Sequence, residues 1–212
     1  ILSIAGDASF RKFYRLVSKG NSKIIVIAQK EKYKNLVAYS TINKFLRTKK
    51  IFTPKLYAYN FSKGIMILED FGDLTFYKKL IKTKNKFLIY KNLVNLLIKI
   101  QKIKPKFRIK NISKGSYKIK KYSNDLLFKE TDLFFDWYLP LFLGKKKSIY
   151  LKKKNKKVLR NLYNRLNFSN SYFVHRDYHA QNLMKVGSQI GVLDSQDAVI
   201  GNPAYDLVSL ID

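Results

Sequence analysis

The chain has no cysteine among its 212 residues. That absence excludes disulfides, thiolate zinc sites and a cysteine nucleophile together, and it fits a reducing compartment. Long apolar runs are missing as well. The longest, residues 133–143, is interrupted by Asp136 and Pro140, whereas a membrane-spanning helix needs about 20 apolar residues. No secretory signal precedes the first motif, so a cytoplasmic location and no membrane partner are expected. Acidic residues are scarce, 14 against 43 basic ones, and histidine occurs only twice. The chain begins at Ile1 without a methionine and stops at Asp212 inside an apolar, helix-like pattern. It reads as a segment with residues missing at both ends.

What remains is globular in character. Hydrophobic residues make up 46% and aromatics 15%, too apolar for a disordered chain. The length suits one large domain or two small ones and buries roughly 70% of the unfolded surface. The net charge of +29 points to an acidic partner. Only seven of the 43 basic residues are Arg, however, and nucleic-acid readers favour Arg where bidentate contact matters. The lysine excess reads as a solvated basic surface. The charge is also uneven: residues 1–170 carry a net +32, residues 171–212 a net −3. An acidic pocket inside a basic body suggests a divalent metal beside polyphosphate.

Periodicity divides the chain. Residues 13–17 and 23–28 alternate or run apolar around the turn-rich segment 18–22, which predicts a β-hairpin. Residues 1–4, 55–59 and 65–68 read as three further strands, and residues 35–48 as a helix, with Leu36, Tyr39, Ile42, Phe45 and Leu46 at helical spacing. Segment 69–73 breaks the pattern. Beyond it, 74–82, 87–102, 123–143 and 148–166 read as helices, 104–122 as a basic loop, and 172–174, 183–186 and 190–193 as short strands. Pro203 starts a last helix. The expected fold class is therefore α+β, with a small β-rich lobe over residues 1–68, a connector at 69–73 and a mostly helical lobe over 74–212.

The chemistry concentrates in Val174-His175-Arg176-Asp177-Tyr178-His179-Ala180-Gln181-Asn182, between two predicted strands. Twelve residues after Asn182 comes Asp194, at the end of a strand. Phosphoryl transfer needs an aspartate to orient the attacking hydroxyl and take its proton, and oxygen ligands for Mg²⁺ beside the phosphates. Asp177, Asn182 and Asp194 have the types and spacing for those roles, in the D-x-x-x-x-N arrangement of kinase catalytic loops. Taken singly, His175 and Asp177 also suit a capped turn. His175-x-Asp177-x-His179 also admits a metallohydrolase centre. If Asp177, Asp194 and Asp206 converge on one cleft, mutual repulsion raises at least one of their pKa values.

His175 to Asn182 resembles the H-x-D-x-H-x-x-N loop of the aminoglycoside phosphotransferase-like kinases, the small-molecule relatives of protein kinases. Gly6-Asp7-Ala8-Ser9-Phe10-Arg11, Leu68-Glu69-Asp70-Phe71-Gly72-Asp73, Phe135-Asp136-Trp137-Tyr138-Leu139, and the segment from Val192 through Asp194 to Ala198 with Tyr205-Asp206-Leu207 are similar to one branch. That branch is the bacterial cell-wall-recycling kinases that phosphorylate the anomeric hydroxyl of N-acetylmuramate and N-acetylglucosamine.

The resemblance implies a two-lobed protein-kinase-like fold with a truncated second lobe, and ATP and Mg²⁺ as cofactors. It makes Asp177 the catalytic aspartate, with His175 bracing the loop and His179 near the phosphates. It makes Asn182 and Asp194 the metal ligands. Gly6, Asp7, Ala8, Ser9, Phe10 and Arg11 become the loop over the phosphates. Glu69, Asp70 and Phe71 become a hinge beside adenine, working through backbone groups. Asp206 braces the catalytic loop. By their own chemistry Asp136 and Trp137 suit a small-molecule sugar, a carboxylate for its hydroxyls and a ring for its apolar face, or equally a half-buried amphipathic helix.

Two departures stand out. Residue 195 is Ser where the metal segment usually has an aromatic, which predicts looser packing behind Asp194. The strand over 23–28 has no interior lysine to clamp the phosphates, leaving Lys30 or Lys32 for that task. Choline, homoserine or aminoglycosides are alternative acceptors, since Asp125, Glu130, Asp132 and Asp136 would suit a cation. A basic nucleic-acid-binding module is the alternative from another class, although no specific nucleic-acid partner is expected.

Overall fold

The computed structural model describes residues 1–4, 11–18, 20–29, 33–165 and 171–211. The first part of the chain builds an antiparallel five-stranded sheet. Its strands are β1 (Leu2–Ile4), β2 (Arg11–Ser18), β3 (Asn21–Ala28), β4 (Leu56–Asn60) and β5 (Ile65–Glu69), in the order β1-β2-β3-β5-β4. The predicted hairpin is β2–β3, paired from Arg11 opposite Ala28 to Ser18 opposite Asn21. Helix α1 (Tyr33–Thr48) covers one face. Its spacing puts Leu36 and Tyr39 into a cluster with Val26, Ala28, Met66 and Leu68. The turn before β5 closes tightly. Gly64 has φ 68°, and a Cβ there would sit 2.2 Å from the Ala28 carbonyl oxygen, so only glycine fits.

Past Glu69 the chain turns helical. α2 (Phe76–Lys82) is capped by Thr75, whose hydroxyl accepts the Lys78 N–H at 3.1 Å. α3 (Phe87–Gln101) is the centre of the larger core, burying Leu93, Leu97 and Ile100 against Phe173, Tyr178 and Leu183. No helix among the described residues is long and apolar enough to cross a membrane.

Three expectations need correction. Segment 104–122 is not a plain loop: it forms the hairpin of β6 (Arg108–Lys110) and β7 (Ser116–Lys118), then β8 (Lys120–Lys121). The helix expected over 123–143 is α4 (Asn124–Leu133) followed by a π-helical turn, Phe134–Tyr138. α5 (Leu139–Arg165) then joins the end of that segment to the helix expected over 148–166, broken only at Gly144, where φ is 74°.

The last quarter is a set of short strands that carries the motifs. β9 (Tyr172–Val174) leads into the loop 175–182. β10 (Leu183–Val186) and β11 (Gln189–Val192) form a hairpin and deliver the chain to Asp194. β12 (Val199–Gly201), which the sequence pattern did not suggest, pairs with β9 antiparallel and with β8 parallel. α6 (Ala204–Ile211) follows.

Candidate active site

The loop between β9 and β10 is fixed from three sides. Asp206, fully buried at the start of α6, accepts the backbone N–H groups of His175 and Arg176 at 2.7 and 2.8 Å. Tyr178, also fully buried, donates its hydroxyl to the Leu93 carbonyl of α3 at 2.9 Å. Arg176 holds φ 72°, a region costly for a side chain with a Cβ. Its guanidinium donates to Glu130 at 2.6 Å and lies over the Tyr122 ring. His175 is fully buried, and its Nδ1 accepts the Asp177 N–H at 3.3 Å.

Within that frame Asp177 is half-exposed and surrounded by donors. His179 Nε2 lies 3.0 Å from its Oδ1. Asn182 Nδ2 donates to Oδ2 at 2.8 Å and to the Asp177 carbonyl at 3.0 Å. The hydrogen bond from His179 lowers the Asp177 pKa from its ordinary value; burial opposes that shift and Asn182 assists it. Asp206 behaves oppositely: burial raises its pKa despite the two backbone donors. Burial is the main cause of that rise, and repulsion by Asp177 only a small one.

Asp194 sits across from this loop. The Leu193 N–H donates to the Asn182 carbonyl at 2.9 Å, which fixes the two proposed metal ligands side by side in the chain path. Asp194 adopts φ 54°. Its Oδ2 pairs with Arg11 at 3.2 Å, and Arg11 also donates to Gln196 Oε1 at 3.3 Å. Ser195 is fully buried, and its hydroxyl donates to Asn43 Oδ1 of α1 at 2.7 Å. The looser packing expected behind Asp194 is therefore replaced by a polar tie to the helix.

The donor set fits Mg²⁺. Asn182 commits its amide nitrogen to Asp177, so its oxygen is the atom suited to a cation, and Asp194 supplies carboxylate oxygen; hard cations take oxygen ligands. No cluster of three or more His, Cys, Asp or Glu side chains suited to a metal occurs among the described residues.

A cleft of about 640 Å³ separates the sheet from these loops. Arg11, Leu68, Asp70, Phe71, Gln181 and Asp194 are among its lining residues. At the connector the side chains are engaged by protein. Glu69 accepts the Lys55 N–H at 3.0 Å. Phe71 stacks on Phe52 with centroids 4.6 Å apart and rests on Gly191, where a Cβ would lie 2.4 Å from its ring. Asp70 accepts from Arg15 Nε at 2.5 Å, and the same guanidinium reaches both oxygens of Asp73 at 2.9 Å. Arg15 was not singled out by the sequence reading. The signal was there, because a lysine-rich chain with seven arginines marks places where a planar fork is needed.

Other expected residues lie apart from this group. Asp136 pairs with Lys152 at 2.8 Å, and Trp137, on the π-helical turn, is 75% exposed. Gly6, Asp7, Ala8, Ser9, Phe10 and Lys30 fall outside the described residues.

The chain is 28% identical over 210 residues to the N-acetylmuramate/N-acetylglucosamine kinase of Pseudomonas putida, covering 99% of this chain and 58% of that protein. It thus spans less than two thirds of the length of the curated relatives it matches. Among solved structures, it superposes on a thermostable mutant of aminoglycoside phosphotransferase APH(4)-Ia in ternary complex with AMP-PNP and hygromycin B. The TM-score is 0.65 at 12% identity, over 97% of this chain and 69% of that one. The choline kinase LicA from Streptococcus pneumoniae gives 0.60 at 12% identity, over all of this chain and 69% of that one. At such identities the likeness is one of fold, the two-part α+β architecture of these kinases. The sequence profile described as a phosphotransferase enzyme family matches residues 1–212, and the chain belongs to that family.

Proposed function

We propose that the protein is an ATP- and Mg²⁺-dependent kinase whose acceptor is the anomeric hydroxyl of N-acetylmuramate or N-acetylglucosamine, acting in cytoplasmic cell-wall recycling. The observation that carries the kinase reading is Asp177, ionised, half-exposed and aimed by His179 and Asn182, on a loop that is pinned to Asp206 and lends Gln181 to the cleft. In this reading residues 1–68 form the nucleotide-binding lobe and 69–73 the hinge. Residues 74–212 carry the catalytic loop 175–182 and the metal segment 194–198.

Asp177 accepts a hydrogen bond from the sugar hydroxyl and takes its proton as the oxygen attacks the γ-phosphorus. The new P–O bond forms while the bond to the β-phosphate oxygen breaks, and ADP leaves. His179 keeps Asp177 ionised, and Asn182 fixes the carboxylate plane. Asn182 and Asp194 would hold Mg²⁺, which neutralises phosphate charge when bound.

The amino-sugar acceptor is supported by the relative named above, aligned along nearly the whole chain. A cationic acceptor is disfavoured because three of the four acids that would receive it are engaged by protein. Glu130 is held by Arg176 and Tyr122, while Asp132 and Asp136 share Lys152.

The test is ADP release with ATP, Mg²⁺ and a panel of N-acetylmuramate, N-acetylglucosamine, choline, homoserine and an aminoglycoside. Turnover with the two amino sugars well above the rest is expected. Preference for a cationic alcohol would overturn the acceptor. No turnover with any, alongside tight sequence-selective RNA binding indifferent to ATP, would overturn the kinase reading.

A further inference from the structure

Side chains at alternate positions of a strand share a face. Arg11, Phe13 and Arg15 of β2, Ile24 of β3, and Met66 and Leu68 of β5 line the cleft. Ile24 therefore shares its face with Val26 and Ala28, both buried. The positions of β3 on that face, Ser22, Ile24, Val26 and Ala28, include no lysine, although a kinase β3 ordinarily sends a lysine to the phosphates and pins it to an acid on the neighbouring helix. α1 has no acidic residue either. Both halves of that ion pair are absent from their usual elements.

Arg11 stands directly opposite Ala28 in the β2–β3 register. Cβ atoms of such cross-strand partners lie about 5 Å apart, so a side chain from Arg11 starts within reach of where one from residue 28 would start. A long cation faces a one-carbon partner, the reverse of a lysine on β3. The Arg11 side chain is only 7% exposed. It passes over the Phe13 ring with 5.5 Å from guanidinium carbon to centroid and ends at Asp194 and Gln196.

We propose that Arg11 is the cation that clamps the ATP phosphates, held in place by Asp194 and Gln196 instead of by a helix acid. The inference rests on the kinase reading above. A guanidinium presents its donors in a planar fork that matches carboxylate and phosphate oxygens alike. The clamp and a metal ligand then meet at one carboxylate, which links the sheet to the metal segment directly. In this arrangement Lys30 and Lys32, the cations suggested by the sequence, are dispensable.

Binding of ATP, ADP and adenosine is measured by calorimetry in metal-free buffer, for wild type, Arg11→Met, Arg11→Lys and Lys30→Met. Loss of a charge-assisted contact predicts weaker ATP and ADP binding for Arg11→Met by roughly ten- to a hundredfold. Adenosine affinity stays unchanged, Arg11→Lys recovers part of the loss, and Lys30→Met has little effect. Should Arg11→Met fail to fold, Arg11→Gln, which keeps a polar donor but loses the charge, carries the same expectation. Unchanged ATP affinity in Arg11→Met, an equal loss for adenosine, or a large loss confined to Lys30→Met would each overturn the clamp while leaving the kinase reading intact. Wild-type protein that binds none of the three would overturn both.

Discussion

Asp206 Oδ1 accepts the backbone N–H of Arg176 at 2.8 Å, and Arg176 is one of only three described non-glycine residues with positive φ. Asp194 is another. Such conformations cost of order 1–3 kcal/mol and persist where the surroundings over-determine them. Here the surroundings are the buried Asp206 carboxylate and the Arg176–Glu130 pair.

Asp206→Asn tests that support. An amide presents one acceptor oxygen to two N–H donors and turns its own NH₂ toward the other. We expect a loss of about 1–3 kcal/mol in stability and a fall in turnover larger than any change in ATP affinity. Denaturant unfolding and steady-state kinetics read the two effects. Unchanged stability would show that the loop holds its shape without Asp206.

Asp177 is expected to act in its ionised form, and His179 to keep it so. Asp177→Asn should cut turnover by about 10²–10⁴-fold with ATP binding nearly intact. Because the pKa of Asp177 is lowered chiefly by His179, wild-type activity should keep its Asp177-dependent part down to about pH 5, above the ordinary carboxylate value. In His179→Ala the acid limb of kcat/KM should move to higher pH. An unmoved limb would assign His179 to another task.

Much of this site was legible in the chain because its residues follow one another. Asp177, Asn182 and Asp194 lie within 18 positions, and short strands on either side fix their relation. The five strands of the first sheet were legible from alternation, within a few residues of their observed ends. What escaped has physical reasons. β6 and β7 each have three residues, and only the middle one, Ile109 or Tyr117, is even partly buried, too little for a period to show. β12 is three buried residues whose pairing depends on β8 and β9, from distant parts of the chain. The ties Ser195–Asn43 and Arg15–Asp70 join residues 152 and 55 positions apart, and local pattern carries no trace of such partners.

The Ser195–Asn43 bond predicts a loss from both a larger and a smaller residue at one position. Ser195 is fully buried, so Ser195→Phe, which restores the aromatic common in this motif, should overpack the site and cost about 1–3 kcal/mol. Ser195→Ala should cost a similar amount by removing the donor to Asn43, whose Nδ2 is already buried without a partner. Thermal unfolding of both variants decides. A stabilised Ser195→Phe would mean that the pocket behind Asp194 accepts a ring and that the polar tie is incidental.

The last prediction concerns the clasp of Arg15 on Asp70 and Asp73. The Asp70 side chain is 3% exposed, so removing the guanidinium in Arg15→Met leaves a buried charge without its main partner. Breaking such a pair costs about 3 kcal/mol at neutral pH. Burial pushes the Asp70 pKa up, but hydrogen bonds from Arg15 and Ser22 outweigh it and the net shift is downward. Asp73 is lowered as well, mainly by Arg15. A carboxyl whose folded pKa lies below its unfolded value stabilises fully above the unfolded value, near 3.9, and loses that contribution as pH falls through the folded one. The stability gap between wild type and Arg15→Met should therefore be constant from about pH 7 to 5 and shrink below about pH 4. Urea unfolding at a series of pH values measures it. A gap at pH 3 as wide as at pH 7 would mean that Arg15 acts through the packing of its stem and not through the two carboxylates.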